Sequence, residues 1–229
     1  RLAHRIKLRT GWPWLAHFSD PWASNPYRPK VLACPWINRR MEAQVFRSAD
    51  RLVFTTEETR QESLGAYPSS FLNKSAVLPH SFEPRRPLVR PRASRELWIR
   101  HLGSFYQRRS PLSFLQAWTT LRRDNPEVLE GVQVEFIGGL PRWMKILLQK
   151  YSDPRIRFLP PVSYPRSLEL MDASDLLLCI EAPAERGLFL PSKLVEYAGS
   201  SVPILSLSPA GSSARFVQSL GGWVADPRD

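Results

Sequence analysis

Beyond residue 95 the chain alternates short apolar runs with amphipathic segments, and this alternation limits its fold more than any other feature. Strand-like runs fall at 97–102, 132–137, 156–159, 176–180, 204–207 and 223–225. Helical spacing predicts helices near 111–123, 141–151, 165–171, 192–198 and 212–220. Parallel neighbouring strands need a crossover long enough to hold a helix, so strands separated by helices predict a parallel sheet covered on both faces. Such sheets bind ligands at the carboxyl ends of their strands. Residues 1–83 repeat the logic less fully. A basic helix end over 1–10 is stopped by Gly11 and Pro13, and the apolar run 14–18 predicts a buried strand. A helix is expected over 37–49 with Ile37, Met41, Val45 and Ala49 on one face. A strand at 51–55, a helix at 57–66 capped by Thr56 and a short strand at 76–78 follow. The Pro- and Arg-rich stretch 84–95 predicts a linker, dividing the chain into 1–83, 84–95 and 96–229.

One stretch concentrates the chemistry. Phe189-Leu190-Pro191-Ser192-Lys193-Leu194-Val195-Glu196-Tyr197-Ala198 follows the run at 176–180 and opens a helix near Ser192, whose hydroxyl is expected to cap it. Lys193 and Glu196 then stand three apart on one helix face. Free N–H groups, a positive dipole end and the Lys193 ammonium suit an anion, and Glu196 can accept a pair of sugar hydroxyls. Together they predict a pocket for a nucleotide diphosphate carrying a sugar. The opposing reading makes Glu196 a surface residue paired with Lys193.

The order of these residues resembles the GT4-type retaining GT-B glycosyltransferases, in the bacterial branch that builds cell-envelope polysaccharide. One branch of that family carries P-S/T-K-x-x-E-Y on its donor-binding helix and then a G-x-P-V/I turn; here Gly199-Ser200-Ser201-Val202-Pro203-Ile204 follows. The resemblance covers nearly the whole chain. Gly103 and Arg109 match the family's glycine and the basic residue six positions on, while Ser104 stands where relatives place a second basic residue. Phe136-Ile137-Gly138-Gly139 ends a strand with two glycines as relatives do, and Val162-Ser163 stands where they read the nucleobase edge. A β–α turn with solvated arginines remains the alternative for the first loop. In the first half, Gly11-Trp12-Pro13-Trp14-Leu15-Ala16-His17-Phe18-Ser19-Asp20-Pro21-Trp22 resembles a bacterial G-x-P-W-x-A-D-F-R-D-P-W pattern, with His17 and Ser19 departing from it. His17 is expected to be a packed core histidine. Leu78-Pro79-His80-Ser81-Phe82 resembles the family's approach to its second domain.

The resemblance implies an α/β GT-B fold of two Rossmann-like domains, the N-terminal one incomplete. It implies transfer of a sugar from a nucleotide-diphosphate sugar, as co-substrate, to a hydroxyl acceptor that is a glycan or lipid-linked. Configuration would be retained, with no cofactor and no metal. Arg109, Lys193 and Glu196 would be catalytic; Gly103, Ser104, Gly138, Gly139, Ser192 and Leu194 would bind the donor; Asp20 and His80 would lie on the acceptor side. Many relatives hold a first glutamate at the position of Leu188, which can neither accept nor carry charge, so that role does not transfer; Glu181 and Glu185 stand nearby.

Charge bears on partners. Residues 1–100 hold 18 Lys/Arg against 8 Asp/Glu, and residues 101–229 hold 14 against 13. A basic first half suits an anionic membrane surface or a polyanion. The basic residues form no single stripe, so specific nucleic-acid binding is not expected, although eight tryptophans keep a stacking nucleic-acid binder as an alternative. A GT-B-like protein without activity is the other. Cys34 and Cys179 are too few for a disulfide framework, the four histidines show no ligand spacing, and no apolar run reaches the length of a membrane span. The expected location is the cytoplasm, peripheral at the inner face of the plasma membrane. With no Met at its start, the sequence reads as a fragment cut at both ends.

Overall fold

A computed structural model describes residues 2–27, 35–84, 96–106 and 108–229. Cys34 and nearly all of the expected linker, residues 85–95, lie outside the described residues. The chain forms two compact units: residues 1–80 with 188–190, and residues 81–187 with 191–229. Among the described residues no helix is long and apolar enough to cross a membrane.

The first unit runs α1 (Leu2–Thr10), β1 (Leu15–Phe18), α2 (Pro35–Ser48), β2 (Arg51–Phe54), α3 (Glu57–Leu64), a 3-10 turn (Ser69–Lys74) and β3 (Ser75–Val77). The strands form a parallel sheet in the order β1-β2-β3, with Leu15 opposite Arg51 and Leu52 opposite Ser75. Thr56 caps α3 as expected, its hydroxyl accepting from Thr59 N–H. Two expectations fail here. Among the described residues β1 is an edge strand rather than a buried one: Leu15 and His17 are exposed and Ala16 faces the core, so His17 is not packed in the core these residues form. In α2 the inward face is Glu42, Phe46 and then Ala49, one residue round from the expected Ile37/Met41/Val45 stripe.

The cause of that rotation is an aromatic core. Phe46 meets Phe18 edge-on at 5.4 Å and Tyr67 at 5.1 Å. Its position one turn after Glu42 carries the carboxylate inside, where Ala23 N–H (3.0 Å) and Tyr67 hydroxyl (2.7 Å) donate to it. Burial still raises the Glu42 pKa. A buried charge of this kind is tolerated because both donors are present.

The second unit alternates without a break: β4 (Leu97–Leu102), α4 (Leu112–Asp124), β5 (Val132–Ile137), α5 (Arg142–Leu148), β6 (Ile156–Leu159), α6 (Tyr164–Asp172), β7 (Leu176–Ile180), α7 (Ser192–Ala198), β8 (Ile204–Leu207), α8 (Ser212–Ser219) and β9 (Trp223–Ala225). All six strands are parallel, in the order β6-β5-β4-β7-β8-β9. Phe114, Leu115 and Trp118 of α4 and Met144 and Leu148 of α5 pack with Val134, Phe136, Leu178 and Ile180 in one core. Three strands share a polar ladder. Arg100 Nε meets Glu135 at 2.6 Å, and Arg157 reaches the other carboxylate oxygen at 2.7 Å. These residues are direct cross-strand partners, and Arg100 also donates to Ala173 O at 2.6 Å.

Candidate functional site

Strand order decides where a ligand can enter. From β4 the chain adds β5 and β6 on one side, then crosses to β7 on the other, so the connections diverge between β4 and β7. Crevices open at such a reversal, outside the carboxyl ends of the strands. The loops after β4, β5 and β6 converge there with α6 and the start of α7.

Two glycines make the floor. Gly103 has φ 150° and Gly138 φ 153°, both in a region that a side chain strongly disfavours. A Cβ on Gly138 would collide with the Gly103 carbonyl. Their loops therefore lie against each other, tied by Gly103 N–H to Ile137 O and Phe105 N–H to Gly139 O, each 2.8 Å. The Ser104 hydroxyl accepts from Gly139 N–H at 3.0 Å. Ser104 thus braces the second glycine loop.

Across the floor lies Lys193. Its side chain runs over Gly103 so closely that a Cβ there would collide with Nζ. Burial, then the nearby Arg109 guanidinium, push the Lys193 pKa down to about 8. No carboxylate among the described residues forms an ion pair with it, and Glu196 in particular does not. The surface pairing that would have made both residues ordinary is not formed. Glu196 instead lines a pocket of about 300 Å³ with Gly103, Gly138, Val162, Tyr164 and Lys193. Beyond Glu196 and Tyr164 a smaller pocket of about 170 Å³ is bordered by Phe82 and Leu168. The Phe82 ring packs against Gly199, where a Cβ would come within 2.7 Å of it.

Arg109 is half-buried, its guanidinium 5.1 Å from the exposed Tyr106 ring and 3.3 Å from the Tyr106 hydroxyl. Two cations thus lie close to one another at the crevice; of the acids beside them Glu196 lines the pocket and Glu181 is shielded. Glu181 is buried, Ser213 donates to it, and burial raises its pKa. Burial likewise pushes the Cys179 thiol up to about 12, so it is an inert packing group.

The helix start differs from expectation. Pro191, extended at ψ 133°, is the N-cap of α7 and Ser192 is already its first helical residue, with no side-chain cap. Once helical, Ser192 no longer has the extended backbone that turns a hydroxyl towards the next N–H groups. Leu194 is also corrected: its side chain is fully buried and its N–H goes to Pro191 O, so it packs rather than binds. At seven residues α7 is short, and Lys193 and Arg109 carry the positive charge. The expected acceptor-side residues lie in the first unit. Asp20 is exposed two residues past β1, and His80 is half-buried at the unit's last position. Leu188 is buried, and its carbonyl lies within 2.7 Å of the Thr56 hydroxyl and 2.9 Å of the Thr59 hydroxyl.

Two residues gained a place that sequence reasoning did not give them. The Tyr197 hydroxyl accepts from Leu102 N–H at 2.8 Å, tying α7 to the end of β4 and so setting Lys193 over Gly103. Its place in the signature was the available signal. His101, fully buried, stacks on Phe105 at 4.6 Å and points Nδ1 at Leu178 O, 2.9 Å away. Burial, then Lys193, hold it neutral. Nothing in a strand sequence marks such a histidine.

No protein-family model matches the chain, and no curated protein matches it. Solved structures do. Anabaena HepE bound to UDP-glucose has a TM-score of 0.69 at 15% identity over 99% of this chain and 62% of its own. WaaG, a glycosyltransferase involved in lipopolysaccharide biosynthesis, scores 0.68 at 16% identity over 98% and 67%. Sucrose-phosphate synthase from Thermosynechococcus elongatus scores 0.68 at 14% over 98% and 57%. These neighbours are GT-B glycosyltransferases, and the chain has their α/β GT-B fold. It spans roughly three-fifths of their length.

Proposed function

We propose that this protein is a glycosyltransferase that uses a nucleotide-diphosphate sugar and passes the sugar to a hydroxyl of a glycan or lipid-linked acceptor. The reading includes the GT4 type, retention of configuration, metal independence and a role in cell-envelope polysaccharide. One observation carries it above the rest: Lys193 laid across Gly103 at the reversal of strand order, without a carboxylate partner among the described residues. A cation held partly out of water next to a second one is unfavourable unless an anion completes the site. A diphosphate between Gly103, Arg109 and Lys193 does so.

The acceptor hydroxyl oxygen bonds to the anomeric carbon as that carbon's bond to the diphosphate breaks; the electron pair leaves on the diphosphate, which takes up the hydroxyl proton. Lys193 and Arg109 meet that charge as it develops. Glu196, three residues on and in the same pocket, accepts hydroxyls of the ribose or the sugar. His101 is held neutral, and the buried Glu181 carboxyl, its pKa raised by burial, accepts from Ser213. Ser104 and Gly139 shape the floor, and Asp20 and His80 are carried as acceptor-side candidates. The excess of basic residues in 1–100 would hold the protein at an anionic membrane surface, peripheral to the cytoplasmic face. HepE was solved with UDP-glucose, which makes uridine nucleotides the first donors to try.

Thermal shift with UDP, GDP, ADP, CDP, dTDP and their sugar conjugates tests the reading, using the parent, Glu196→Ala and Arg109→Ala. Selective stabilisation of the parent, lost in both variants, supports it; a folded parent that responds to no nucleotide refutes it. A second reading rests on Leu188, buried and bonded through its carbonyl where many members of the family it resembles carry a glutamate: a donor-binding protein without turnover. Nucleotide binding with no product from any acceptor supports that one.

A further inference from the structure

Helix α5 has an outer face that none of the described residues covers. Its inward residues are Met144 and Leu148, both buried in the core. At the other helical positions, Trp143 is 53% exposed, Ile146 62% and Leu147 41%. They sit at i, i+3 and i+4, so they form one contiguous stripe. A solvated helix of this length would place polar side chains there.

Charge says what the stripe faces. Arg142, Lys145 and Lys150 flank it and are exposed, and the segment 139–152 contains no Asp or Glu. The next acid along the chain, Asp153, is buried and tied to Trp118, Arg122 and Arg155. A second copy meeting this face isologously would set Arg142, Lys145 and Lys150 against copies of themselves with no acid in the segment to offset them. An anionic bilayer offers both halves of a match: an apolar interior for the tryptophan and aliphatic groups, and phosphates for the basic flank.

We propose that the outer face of α5, through Trp143, Ile146 and Leu147 with Arg142, Lys145 and Lys150, docks the second unit on the surface of an anionic lipid bilayer. This shares the anionic membrane with the functional reading above but uses a different surface, and it does not depend on the donor site. The stripe inserts to the depth of the headgroups and the basic residues hold it there.

Co-sedimentation of the full chain with phosphatidylcholine vesicles, with and without phosphatidylglycerol, tests it. The parent should bind the anionic vesicles and keep part of that binding in high salt, because apolar insertion is not screened. Ile146→Ser with Leu147→Ser and Trp143→Ser should lose the salt-resistant part. Arg142→Gln, Lys145→Gln and Lys150→Gln should weaken low-salt binding about fivefold each, the equivalent of about 1 kcal/mol per basic residue. Trp223→Ser, at an exposed tryptophan of β9, should change nothing, and an unchanged nucleotide response would show that every variant is folded. Binding that the stripe variant leaves intact overturns the proposal, even where the basic first half holds the protein to vesicles. So does self-association of the parent that the stripe variant abolishes. No binding to any vesicle overturns this proposal and the membrane part of the functional reading, and leaves donor binding standing.

Discussion

Replacing Lys193 with methionine should make the protein more stable and unable to bind its donor. Burial and the neighbouring Arg109 lower the Lys193 pKa from the ordinary 10.5 to about 8. At about 1.4 kcal/mol for each tenfold change in proton affinity, that depression corresponds to about 3.5 kcal/mol of destabilisation carried by the charged form. The side chain retains some contact with water, so about 1–3 kcal/mol is the expected gain for Lys193→Met, whose unbranched stem fills the same path over Gly103. For a chain of this size the melting temperature should rise about 2–4 °C per kcal/mol. The pH dependence identifies the cause. Below pH 8 the lysine is protonated in both folded and unfolded states, and its cost is constant. Between about 8 and 10.5 the unfolded chain binds the extra proton, so the parent gains stability as pH rises. The advantage of the variant should therefore be flat below pH 8 and shrink to nothing by about 10.5. Urea unfolding of both proteins across that range measures it. A variant less stable than the parent at pH 7, or a gain that persists undiminished at high pH, refutes the reasoning that this lysine waits uncompensated for an anion. In the parent, the nucleotide-induced shift should also weaken above pH 8 as Lys193 loses its proton.

Gly103→Ala should abolish the nucleotide response and cost about 1–3 kcal/mol, because the new Cβ meets Lys193 at a backbone angle that disfavours side chains; titration and urea unfolding check both halves. Tyr197→Phe leaves Leu102 N–H buried without its acceptor and should cost about 1–3 kcal/mol in urea. Arg100→Met alone should cost about 1–3 kcal/mol in urea, because Glu135 loses its buried partner and keeps only the half-exposed Arg157, whereas Arg100→Met with Glu135→Leu should recover most of it. Ser201→Gly should stabilise by about 1 kcal/mol, since Ser201 holds φ 61° where glycine is at ease; an unchanged melting temperature would contradict that.

The expected site was partly legible, for a definable reason. Lys193, Glu196, Gly103 and Gly138 lie on or just after regular elements, so their spacing survives folding and they line one pocket, with Arg109 close enough to act on Lys193. Ser192, Leu194 and His17 were misread because each depended on a detail that spacing does not encode: which residue takes the extended cap position, which helix face turns inward, and whether a strand has a neighbour on its outer side. The stripe of α2 failed in the same way, since the pull of Phe46 into an aromatic core outweighed a run of smaller apolar residues.

Local chain chemistry by itself determined the second unit almost element for element. Apolar runs bounded by glycine and proline fixed all six strands, because period, length and turn residues are properties of neighbouring residues. Only the tertiary structure decided the strand order, and with it the reversal between β4 and β7 that turns separate loops into one site. It alone set Tyr197 on Leu102, His101 against the Leu178 carbonyl and Lys193 across Gly103. Those contacts join residues about 70–95 positions apart, and their energies come from burial and from hydrogen bonds that exist only once the sheet has closed.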